Sequence, residues 1–335
     1  MAGKKEEKKK TLKEAIEYLN KTYSGAYNDD GYFISTGSIG LDAILGGGLK
    51  SGRLVELIAW EGAGKTTFCL HVLAEAQKAG YNVAYVDAEH ALDKAYAENI
   101  GVDWDALLPT LFQPSNGEEA FEYGKTLLET GEMNLIIFDS TSGMLPKSQM
   151  EGETGASNIG KHAFLFNKEI PRINLLASQH IAICLFVSQI REKPGVMFGS
   201  PETTQAGHSL KFFASTRIDL RRTLTKDGDD TTGIKTKFKT LKCKTASPFQ
   251  LAYVPIVFGL GFDKLDEAIE LGKEYEILKK HGDKITIGED KYTVEEFKTL
   301  LLDNTEFYSS LKEKITNKIT KQPIKIEDDN TTISS

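Results

Sequence analysis

A short glycine-rich segment of the chain ends in one lysine and two threonines, residue types that bind phosphate and magnesium. It reads Glu61-Gly62-Ala63-Gly64-Lys65-Thr66-Thr67. The backbone N–H groups of such a loop, and the positive N-terminus of a helix that follows it, face an anion. The Lys65 ammonium would reach the β- and γ-phosphates of a nucleotide, and the Thr66 hydroxyl would bind Mg²⁺. The segment predicts a nucleotide site, with a solvated turn before an ordinary helix as the alternative.

Three polar residues, Glu89, Asp139 and Gln189, each follow within three residues the end of an apolar run. If these runs are parallel strands, their carboxyl ends meet at one edge of a sheet, where ligands bind in open α/β folds. Asp139 is then suited to hold Mg²⁺ directly or through water. Glu89 is suited to orient or deprotonate an attacking water. Each residue alone could instead cap a helix or bind a loop, but together with the glycine-rich loop they predict a site that hydrolyses a nucleotide.

The elements that must position these residues are visible in the apolar pattern between residues 53 and 261. Strand-like runs alternate with segments of helix length, and the early runs are mostly apolar. The predicted strands are 54–58, 83–86, 135–138, 181–187, 217–220, 237–241 and 254–258. This alternation predicts an α/β fold with a mostly parallel central sheet that is buried on both faces.

The two ends of the chain have other patterns. Apolar residues within 11–23 form one helical stripe, which would be buried on the chain's own core or on a neighbouring subunit. Beyond residue 262 the spacing predicts helices and a short hairpin at 285–291. The predicted divisions are an N-terminal arm and oligomerisation helix at 1–33, a core at 34–262, a small C-terminal α+β domain at 263–322 and a flexible acidic tail at 323–335.

The composition excludes several classes of protein. With 40% hydrophobic and 27% charged residues, the 335-residue chain is typical of globular proteins. No apolar run reaches the ~18 residues of a membrane span, and the lysine-rich start lacks the apolar segment of a secretory signal. Three distant cysteines argue against disulfides and metal binding and favour a cytoplasmic location. A net charge of −7 excludes a uniformly basic surface for nucleic acid but permits a local one.

A stretch without regular period at about residues 192–207 contains glycines, prolines and the apolar pair Met197 and Phe198. Long aperiodic stretches are usually functional or disordered. Met197 and Ile159 are suited to insertion between bases. The basic residues that follow, which could bind DNA phosphates, are Lys211, Arg217, Arg221 and Arg222. The alternative is that Phe198 packs in the core and the basic residues form a solvated strand face.

From residue 34 to about residue 261, the sequence resembles the RecA family of DNA recombinases. The segments that carry the resemblance are Ser35-Thr-Gly-Ser-Ile-Gly-Leu-Asp42, Asp87-Ala-Glu-His-Ala-Leu-Asp93, Glu151-Gly-Glu, Gln189-Ile-Arg191, Gly195-Val-Met-Phe-Gly-Ser-Pro-Glu-Thr-Thr204 and Leu210-Lys-Phe. Because several motifs occur in order, the resemblance is more specific than the phosphate loop alone. It implies a RecA-type P-loop ATPase core, with ATP and Mg²⁺ as cofactors.

For the nucleotide site, the resemblance implies a role for each motif residue. The loop at 61–67 matches the phosphate-binding residues, Glu89 matches the catalytic glutamate, and Asp139 matches the second magnesium residue beside Thr66. The residues that match the adenine contacts are Asp93, Tyr96 and Phe258, with Phe258 in place of the usual tyrosine.

The resemblance also implies coupling to DNA and to a neighbouring subunit. Gln189 matches the sensor of the γ-phosphate, which connects ATP to the adjoining DNA-binding loop. Lys242 and Lys244 match lysines that reach the ATP of the next subunit. The sequence indicates no local partner for either lysine, and a solvated strand end is the alternative.

Two DNA-binding loops are implied by the resemblance, at about 151–160 and 192–209. The residues expected to contact DNA are Ile159, Gly160, Met197, Phe198, Gly199, Lys211 and Arg217. Besides Phe258, two departures from the family bear on the expected sites, one on the nucleotide site and one on the first DNA loop. Ala59 stands where the phosphate loop usually begins with glycine, and Phe164 stands where an arginine usually lies beside the first DNA loop.

The function implied by the resemblance is ATP-dependent homologous recombination. The chain would form a helical filament on single-stranded DNA, pair it with homologous double-stranded DNA and exchange strands, while DNA-dependent ATP hydrolysis releases the filament. Two alternatives stay open. One is a hexameric DNA motor or helicase built on the same core. The other is a nucleotide-dependent assembly protein without a role on DNA, which would leave the Met197 and Phe198 stretch unexplained.

Overall fold

The computed structural model describes residues 11–22, 31–151, 160–192, 202–204, 207–227, 230–282 and 284–321. The chain divides into two units, Met1–Gly31 and Tyr32–Ser335. In the first unit, helix α1 spans Leu12–Thr22, within the predicted segment. It begins with a capping box, because the Glu14 N–H donates to the Thr11 hydroxyl while the Glu14 carboxylate accepts from the Thr11 N–H.

The second unit contains the remaining described helices and strands. The helices are α2 (Ile39–Leu45), α3 (Lys65–Lys78), α4 (Lys94–Ile100), α5 (Trp104–Leu107), α6 (Gly117–Glu129), α7 (Lys147–Met150), α8 (Lys161–Gln179), α9 (Gly207–Phe213), α10 (Lys264–Glu274), α11 (Val294–Asp303) and α12 (Thr305–Lys321), with a 3₁₀ turn at Leu108–Thr110. The strands are β1 (Phe33–Ile34), β2 (Leu49–Lys50), β3 (Arg53–Ala59), β4 (Val83–Asp87), β5 (Leu111–Phe112), β6 (Leu135–Asp139), β7 (Ile183–Glu192), β8 (Glu202–Thr204), β9 (Thr216–Asp227), β10 (Asp230–Cys243), β11 (Leu251–Val257), β12 (Gly261–Phe262), β13 (Lys279–His281), β14 (Lys284–Ile287) and β15 (Asp290–Thr293).

The main sheet has the strand order β12-β11-β10-β9-β3-β7-β6-β4-β5, and β8 pairs with β7 off this path. Parallel pairs join the strands from β9 through β3, β7, β6 and β4 to β5. Strands β9 to β12 form an antiparallel extension of the same sheet. The predicted α/β class with a mostly parallel sheet is confirmed.

Helices cover both faces of the parallel strands, as the apolar runs predict. All five residues of β4 and of β6 are buried, and successive side chains of a strand point to opposite faces. On one face, Tyr85 of β4 packs in the same cluster as Phe68 of α3. On the other face, Val86 packs with Phe121 of α6 and Phe166 of α8. This burial fixes the strand ends that carry the predicted polar residues.

All seven predicted strands are present, and their bounds differ most in the antiparallel extension. β9 and β10 are much longer than their predicted segments, because buried residues such as Ile234 and Phe238 alternate with lysines instead of forming an apolar run. β7 begins at Ile183 rather than at residue 181. Ile181 has a φ of 56°, in the left-handed region, which is incompatible with a strand.

The C-terminal elements belong to the same unit as the core. β14 and β15 form the hairpin predicted at 285–291, and β14 also pairs with β13. The buried Glu267 of α10 accepts from the Ser38 hydroxyl and the Gly40 N–H, and Lys264 Nζ lies 2.7 Å from Oε1 of Glu75 on α3. The domain boundary at residue 262 stays a prediction. No helix in the described part of the chain is long and apolar enough to cross a membrane.

Candidate nucleotide site at the end of the parallel strands

The glycine-rich loop lies between β3, which ends at Ala59, and α3, which begins at Lys65. Gly62 and Gly64 have φ values of 66° and 94°, in the region that favours glycine. Gly64 is the N-cap of α3 and makes no side-chain cap hydrogen bond. No capping side chain therefore competes with an anion for the first N–H groups of α3.

The Lys65 ammonium is held within this loop. The residue is 8% exposed, and its Nζ donates to the Trp60 carbonyl at 3.0 Å. Burial lowers the pKa of Lys65, while the carboxylates of Asp139, Glu89 and Glu61 act in the opposite direction. A buried ammonium gains more from an anionic partner than an exposed one, because it is less screened by water.

Asp139, at the end of β6, accepts hydrogen bonds from two hydroxyl groups. Thr66 Oγ1 lies 3.0 Å and the Tyr85 hydroxyl 2.7 Å from its Oδ2. Burial raises the pKa of Asp139 to about 6, and the hydrogen bonds from Tyr85 and Thr66 offset this only in part. Mg²⁺ prefers oxygen ligands of this kind, a carboxylate and a hydroxyl. The two predicted magnesium residues are therefore in direct contact and fit the ion.

Glu89 lies in the exposed turn after β4. Its Oε1 accepts a hydrogen bond from Gln189 Nε2 at 2.6 Å and another from the Ser140 hydroxyl. Gln189 belongs to β7, and Ser140 directly follows β6. The predicted catalytic glutamate and the predicted γ-phosphate sensor are therefore neighbours. Ser140 is a contact that the sequence analysis did not single out.

Asp87 ends β4 two residues before Glu89, and its carboxylate bonds to two backbone N–H groups and one side-chain amide. Its carboxylate accepts the N–H groups of Ala91 and Leu92 at 3.3 and 3.2 Å, and Gln113 Nε2 at 2.9 Å. These bonds hold the turn that presents Glu89. This positioning role was not predicted from the sequence, although a polar residue directly after an apolar run is a signal that could have indicated it.

The predicted adenine residues lie around α4. Asp93 is the N-cap of this helix and accepts the Tyr96 N–H at 2.7 Å. The Tyr96 hydroxyl lies 2.7 Å from Thr67 Oγ1, which joins α4 to the phosphate loop. Phe258 follows β11 and is exposed, and the carbonyl of the residue after it accepts from Asn99 of α4 at 3.3 Å. Helix α4 thus contacts both the phosphate loop and the turn that carries Phe258.

Lys242 and Lys244 lie at the end of β10. Lys242 Nζ donates to the carbonyls of Lys211 and Phe212 on α9, at 3.4 and 2.9 Å. The sequence indicated no local partner for either lysine, and the partners of Lys242 are carbonyls 30 and 31 residues earlier in the chain. Burial lowers the pKa of Lys242, and the positive charges of Lys244 and Arg217 lower it further. Contact of either lysine with the ATP of a neighbouring subunit stays a prediction.

The predicted DNA residues are only partly within the described structure. Those outside it are Ile159, Met197, Phe198 and Gly199. Gly160 is the N-cap of α8, and Lys211 is exposed on α9. Arg217 is engaged in an ion pair, because its Nε lies 2.6 Å from Oε2 of the fully buried Glu56. The DNA contacts of all these residues stay predictions.

Phe164, where the family usually has arginine, is 72% exposed on α8. It lines an open groove of about 360 Å³ together with Lys161 and Lys168 of the same helix and Pro146. The departure at this position therefore replaces a charge with an exposed ring that has lysines on either side of it in the sequence.

A phosphate loop between a strand and a helix, an acid and a hydroxyl suited to Mg²⁺, and a glutamate on an adjacent strand end define a P-loop ATPase with an α/β core. A family model described as the RecA N-terminal domain matches residues 5–263. Protein RecA of Porphyromonas gingivalis is 42% identical over 322 residues, which cover 92% of this chain and 94% of the relative. Protein RecA of Rickettsia bellii is 39% identical over 330 residues, which cover 94% and 95%. The chain belongs to the RecA family.

This membership also establishes the activity. The chain is an ATP-dependent recombination protein that hydrolyses ATP in response to DNA and exchanges DNA strands. The similarity to the relatives extends over most of the chain, as with Protein RecA of Cytophaga hutchinsonii, which is 41% identical over 329 residues covering 93% of this chain and 91% of the relative.

Proposed function

We propose that this chain binds ATP and Mg²⁺ beyond the ends of β3, β4, β6 and β7 and forms a helical filament on single-stranded DNA, which pairs with a homologous duplex. The observation that carries the proposal is the hydrogen bond of 2.6 Å between Gln189 and Glu89. Gln189 lies on β7, which ends at Glu192, where the second predicted DNA-binding loop begins. A side chain that contacts the predicted hydrolytic carboxylate and leads into that loop can connect the nucleotide to DNA.

Different residues of the phosphate site would bind the phosphates and the magnesium ion. Lys65 and the N–H groups of the loop would bind the β- and γ-phosphates. Thr66 and Asp139 would hold Mg²⁺, which neutralises charge on the transferred phosphoryl group. The Tyr85 hydroxyl holds the Asp139 carboxylate through its hydrogen bond. Because the pKa of Asp139 is about 6, the carboxylate is ionised at neutral pH and would bind metal less well in acid.

Glu89 would orient the attacking water and accept its proton. The Ser140 hydroxyl and the Gln189 amide hold its carboxylate from two sides, and Asp87 holds the turn on which it lies. Hydrolysis therefore depends on residues from three adjacent strands, β4, β6 and β7.

The Gln189 amide would act as the switch through which bound ATP changes the DNA-binding loop. Without a γ-phosphate it donates to Glu89, whereas a γ-phosphate offers another charged acceptor nearby. Transfer of this hydrogen bond would move the end of β7 and free the Glu89 carboxylate to bind water. ATP would then favour the DNA-binding arrangement of the following loop, and hydrolysis would reverse it, as in other nucleotide switches.

On the DNA side, the apolar residues Ile159 and Met197 would enter between bases, and the exposed Phe164 ring beside Lys161 and Lys168 offers a stacking surface with phosphate-binding charge. Lys242 would leave its carbonyl partners on α9 and reach the ATP of the next subunit. A contact of this head-to-tail type propagates into a helical filament when the rotation between subunits does not close a ring.

Electron microscopy with single-stranded DNA and a slowly hydrolysed ATP analogue tests the proposal. We expect helical filaments that require the analogue. They should be absent with Lys65→Ala and present with Lys78→Ala, a control that removes an exposed lysine from the other end of α3.

The other outcomes select between the alternatives. Closed rings on DNA would favour the hexameric motor. Nucleotide-dependent assemblies that do not bind DNA would favour the assembly protein. Analogue-dependent filaments formed by Lys65→Ala would remove the nucleotide site from the proposal.

A further inference from the structure

The outer side of the phosphate loop is held by the antiparallel strands β9 and β10. Arg222 Nη1 of β9 donates to the Gly62 carbonyl at 2.9 Å, and Thr236 Oγ1 of β10 donates to the Ala63 carbonyl at 3.3 Å. Arg222 and Thr236 are directly opposite each other in the register of the two strands. One pair of facing side chains therefore contacts two successive carbonyls of the loop.

The approach of the strands to the loop is close. A Cβ atom added at Gly62 would lie 2.4 Å from Nη1 of Arg222, and one added at Gly64 would lie 2.8 Å from Cδ1 of Ile256 on β11. Both distances are shorter than any side chain tolerates without movement. At Gly64 glycine therefore admits β11 to the loop as well as supplying the positive φ, whereas a Cβ at Gly62 would displace the guanidinium at the flexible end of Arg222.

The direction of the two carbonyls fixes the direction of two N–H groups. In a trans peptide the C=O and N–H bonds point to opposite sides, so the N–H groups of Ala63 and Gly64 point away from Arg222 and Thr236. In phosphate loops, N–H groups of this kind bind the anion. A hydrogen bond from a guanidinium to the carbonyl also polarises the same peptide and strengthens its N–H as a donor.

We propose that Arg222 and Thr236 are positioning residues for the nucleotide, which hold the peptides 62–63 and 63–64 with their N–H groups towards the phosphates. The inference rests on the proposed nucleotide site and adds to it two residues from strands outside that site. It also changes the interpretation of Arg222, since the sequence analysis assigned its charge to DNA phosphates.

Nucleotide binding without DNA tests the inference, measured by fluorescence titration of labelled ATP and ADP. Arg222→Met keeps the length of the side chain and removes its donors. Affinity for both nucleotides should fall about 5- to 20-fold, at or below the lower end of the range for a hydrogen bond from a charged group, because Arg222 is exposed. Thr236→Val removes only a hydroxyl and should weaken binding about 2- to 5-fold.

Steady-state kinetics separates positioning from a general loss of structure. The N–H groups contact the phosphates in the ground state and in the transition state alike, so their loss raises KM for ATP and leaves kcat nearly unchanged. Arg222→Lys retains a charged donor and should recover part of the affinity. If Arg222→Met does not fold, as judged by circular dichroism and thermal unfolding, Thr236→Val carries the test by itself.

Lys235→Met is the matched control. It removes one positive charge from β10, next to Thr236 but on the opposite face, where Lys235 Nζ lies 2.9 Å from Oε2 of Glu270. Its affinity for ATP and ADP should equal that of the wild type. An equal loss in Lys235→Met and Arg222→Met would show that net charge, not the contact with the loop, is responsible, and would overturn the inference.

Two further results would also overturn it. One is wild-type nucleotide affinity in folded Arg222→Met and Thr236→Val. The other is weaker DNA binding by Arg222→Met with normal nucleotide binding, which would assign Arg222 to DNA. Lys65→Ala distinguishes these results from failure of the site itself, because a Lys65→Ala variant that binds ATP normally would remove the nucleotide site, whatever Arg222 does.

Discussion

The main sheet has a parallel half, made of β3, β7, β6, β4 and β5, and an antiparallel half, made of β9 to β12. The two halves carry their functional side chains in different places. In the parallel half, Asp139 and Gln189 lie at or near the carboxyl ends of buried strands. In the antiparallel half, Arg222 and Thr236 lie within the strands, on a face that contacts the phosphate loop. Helices cover both faces of the parallel strands, so the polar groups of the candidate site lie at the strand ends, and the buried Glu56 within β3 is paired with Arg217. An antiparallel strand that alternates in burial can carry polar groups along its length.

This difference shows that the phosphate loop is held from two directions. Strand ends of the parallel half supply the groups that would contact ATP and Mg²⁺. The antiparallel strands hold the loop's outer carbonyls, and β10 also carries Lys242 at its other end. A displacement of β9 and β10, for example by a neighbouring subunit, can therefore change the nucleotide site without a direct contact to the nucleotide.

The largest effect is expected when the two halves are inactivated in separate chains. Glu89→Ala removes the predicted catalytic glutamate of the parallel half, and the double variant Lys242→Ala/Lys244→Ala removes the two lysines at the end of β10 in the antiparallel half. Each should lose DNA-dependent ATPase activity by about 10²- to 10³-fold. Mixed in equal amounts, roughly a quarter of random head-to-tail interfaces combine an intact glutamate with intact lysines. Activity should then reappear at a modest fraction of wild type.

A second mixture provides the control for this prediction. Glu89 and Lys65 belong to the same half, so no chain in a mixture of Glu89→Ala with Lys65→Ala carries both residues. This mixture should show no recovery. If the first mixture co-assembles on DNA, as followed with two fluorescent labels, and also shows no recovery, the site is not shared between subunits.

A smaller effect is expected at the contact between the parallel half and the predicted DNA loop. Gln189→Ala should bind ATP normally, because Lys65, Thr66 and Asp139 remain. It should lose the increase in affinity for single-stranded DNA that ATP causes, an effect of about 5- to 150-fold for typical coupled sites. Fluorescence anisotropy with and without a slowly hydrolysed analogue measures this ratio.

The matched control is Gln77→Ala, which removes a glutamine amide bound to the Asp103 carbonyl at the far end of α3. It should retain the full effect of ATP on DNA affinity. A full effect in Gln189→Ala as well would place the switch elsewhere in the molecule.

The two halves also differ in what the sequence predicts. In the parallel half, apolar runs followed by polar residues predicted the strands, and the structure places Thr66 against Asp139 and Gln189 against Glu89. These contacts follow from a topological rule, because the carboxyl ends of parallel strands share one edge. The order of the residues along the chain is then sufficient to predict their proximity.

Contacts between a side chain and a distant backbone have no such rule. Arg222 and Gly62 are 160 residues apart, and their contact depends on the register of β9 with β3, the strand that leads into the loop, and on the twist of the sheet. The same is true of Lys242, whose acceptors lie on α9. Tyr85 is an aromatic residue in an apolar strand, and no local pattern indicates that its hydroxyl bonds to Asp139. Contacts of this kind are visible only in the folded structure.

The smallest expected effect is on stability, and its sign should differ between the two halves. Burial raises the pKa of Asp139 from 3.8 to about 6. The folded protein therefore binds this proton more tightly than the unfolded chain. The ionised carboxylate destabilises the fold, by an amount that is absent below about pH 4 and increases until about pH 6. Thr236, in contrast, is buried with its hydroxyl bonded to the loop, and its contribution should not depend on pH.

Urea unfolding without nucleotide or Mg²⁺ measures this difference. Asp139→Asn should increase the free energy of unfolding by roughly 1–3 kcal/mol at about pH 7.5 and by little near pH 4. Thr236→Val should decrease it by about 0.5–1.5 kcal/mol at both pH values. Mg²⁺ with ATP should stabilise the wild type more than Asp139→Asn, because the ligand binds the folded state through the carboxylate. If Asp139→Asn is destabilised at pH 7.5 as much as Thr236→Val, the Asp139 carboxylate stabilises the fold. The predicted difference in sign between Asp139, at a strand end, and Thr236, on a strand face, is then wrong.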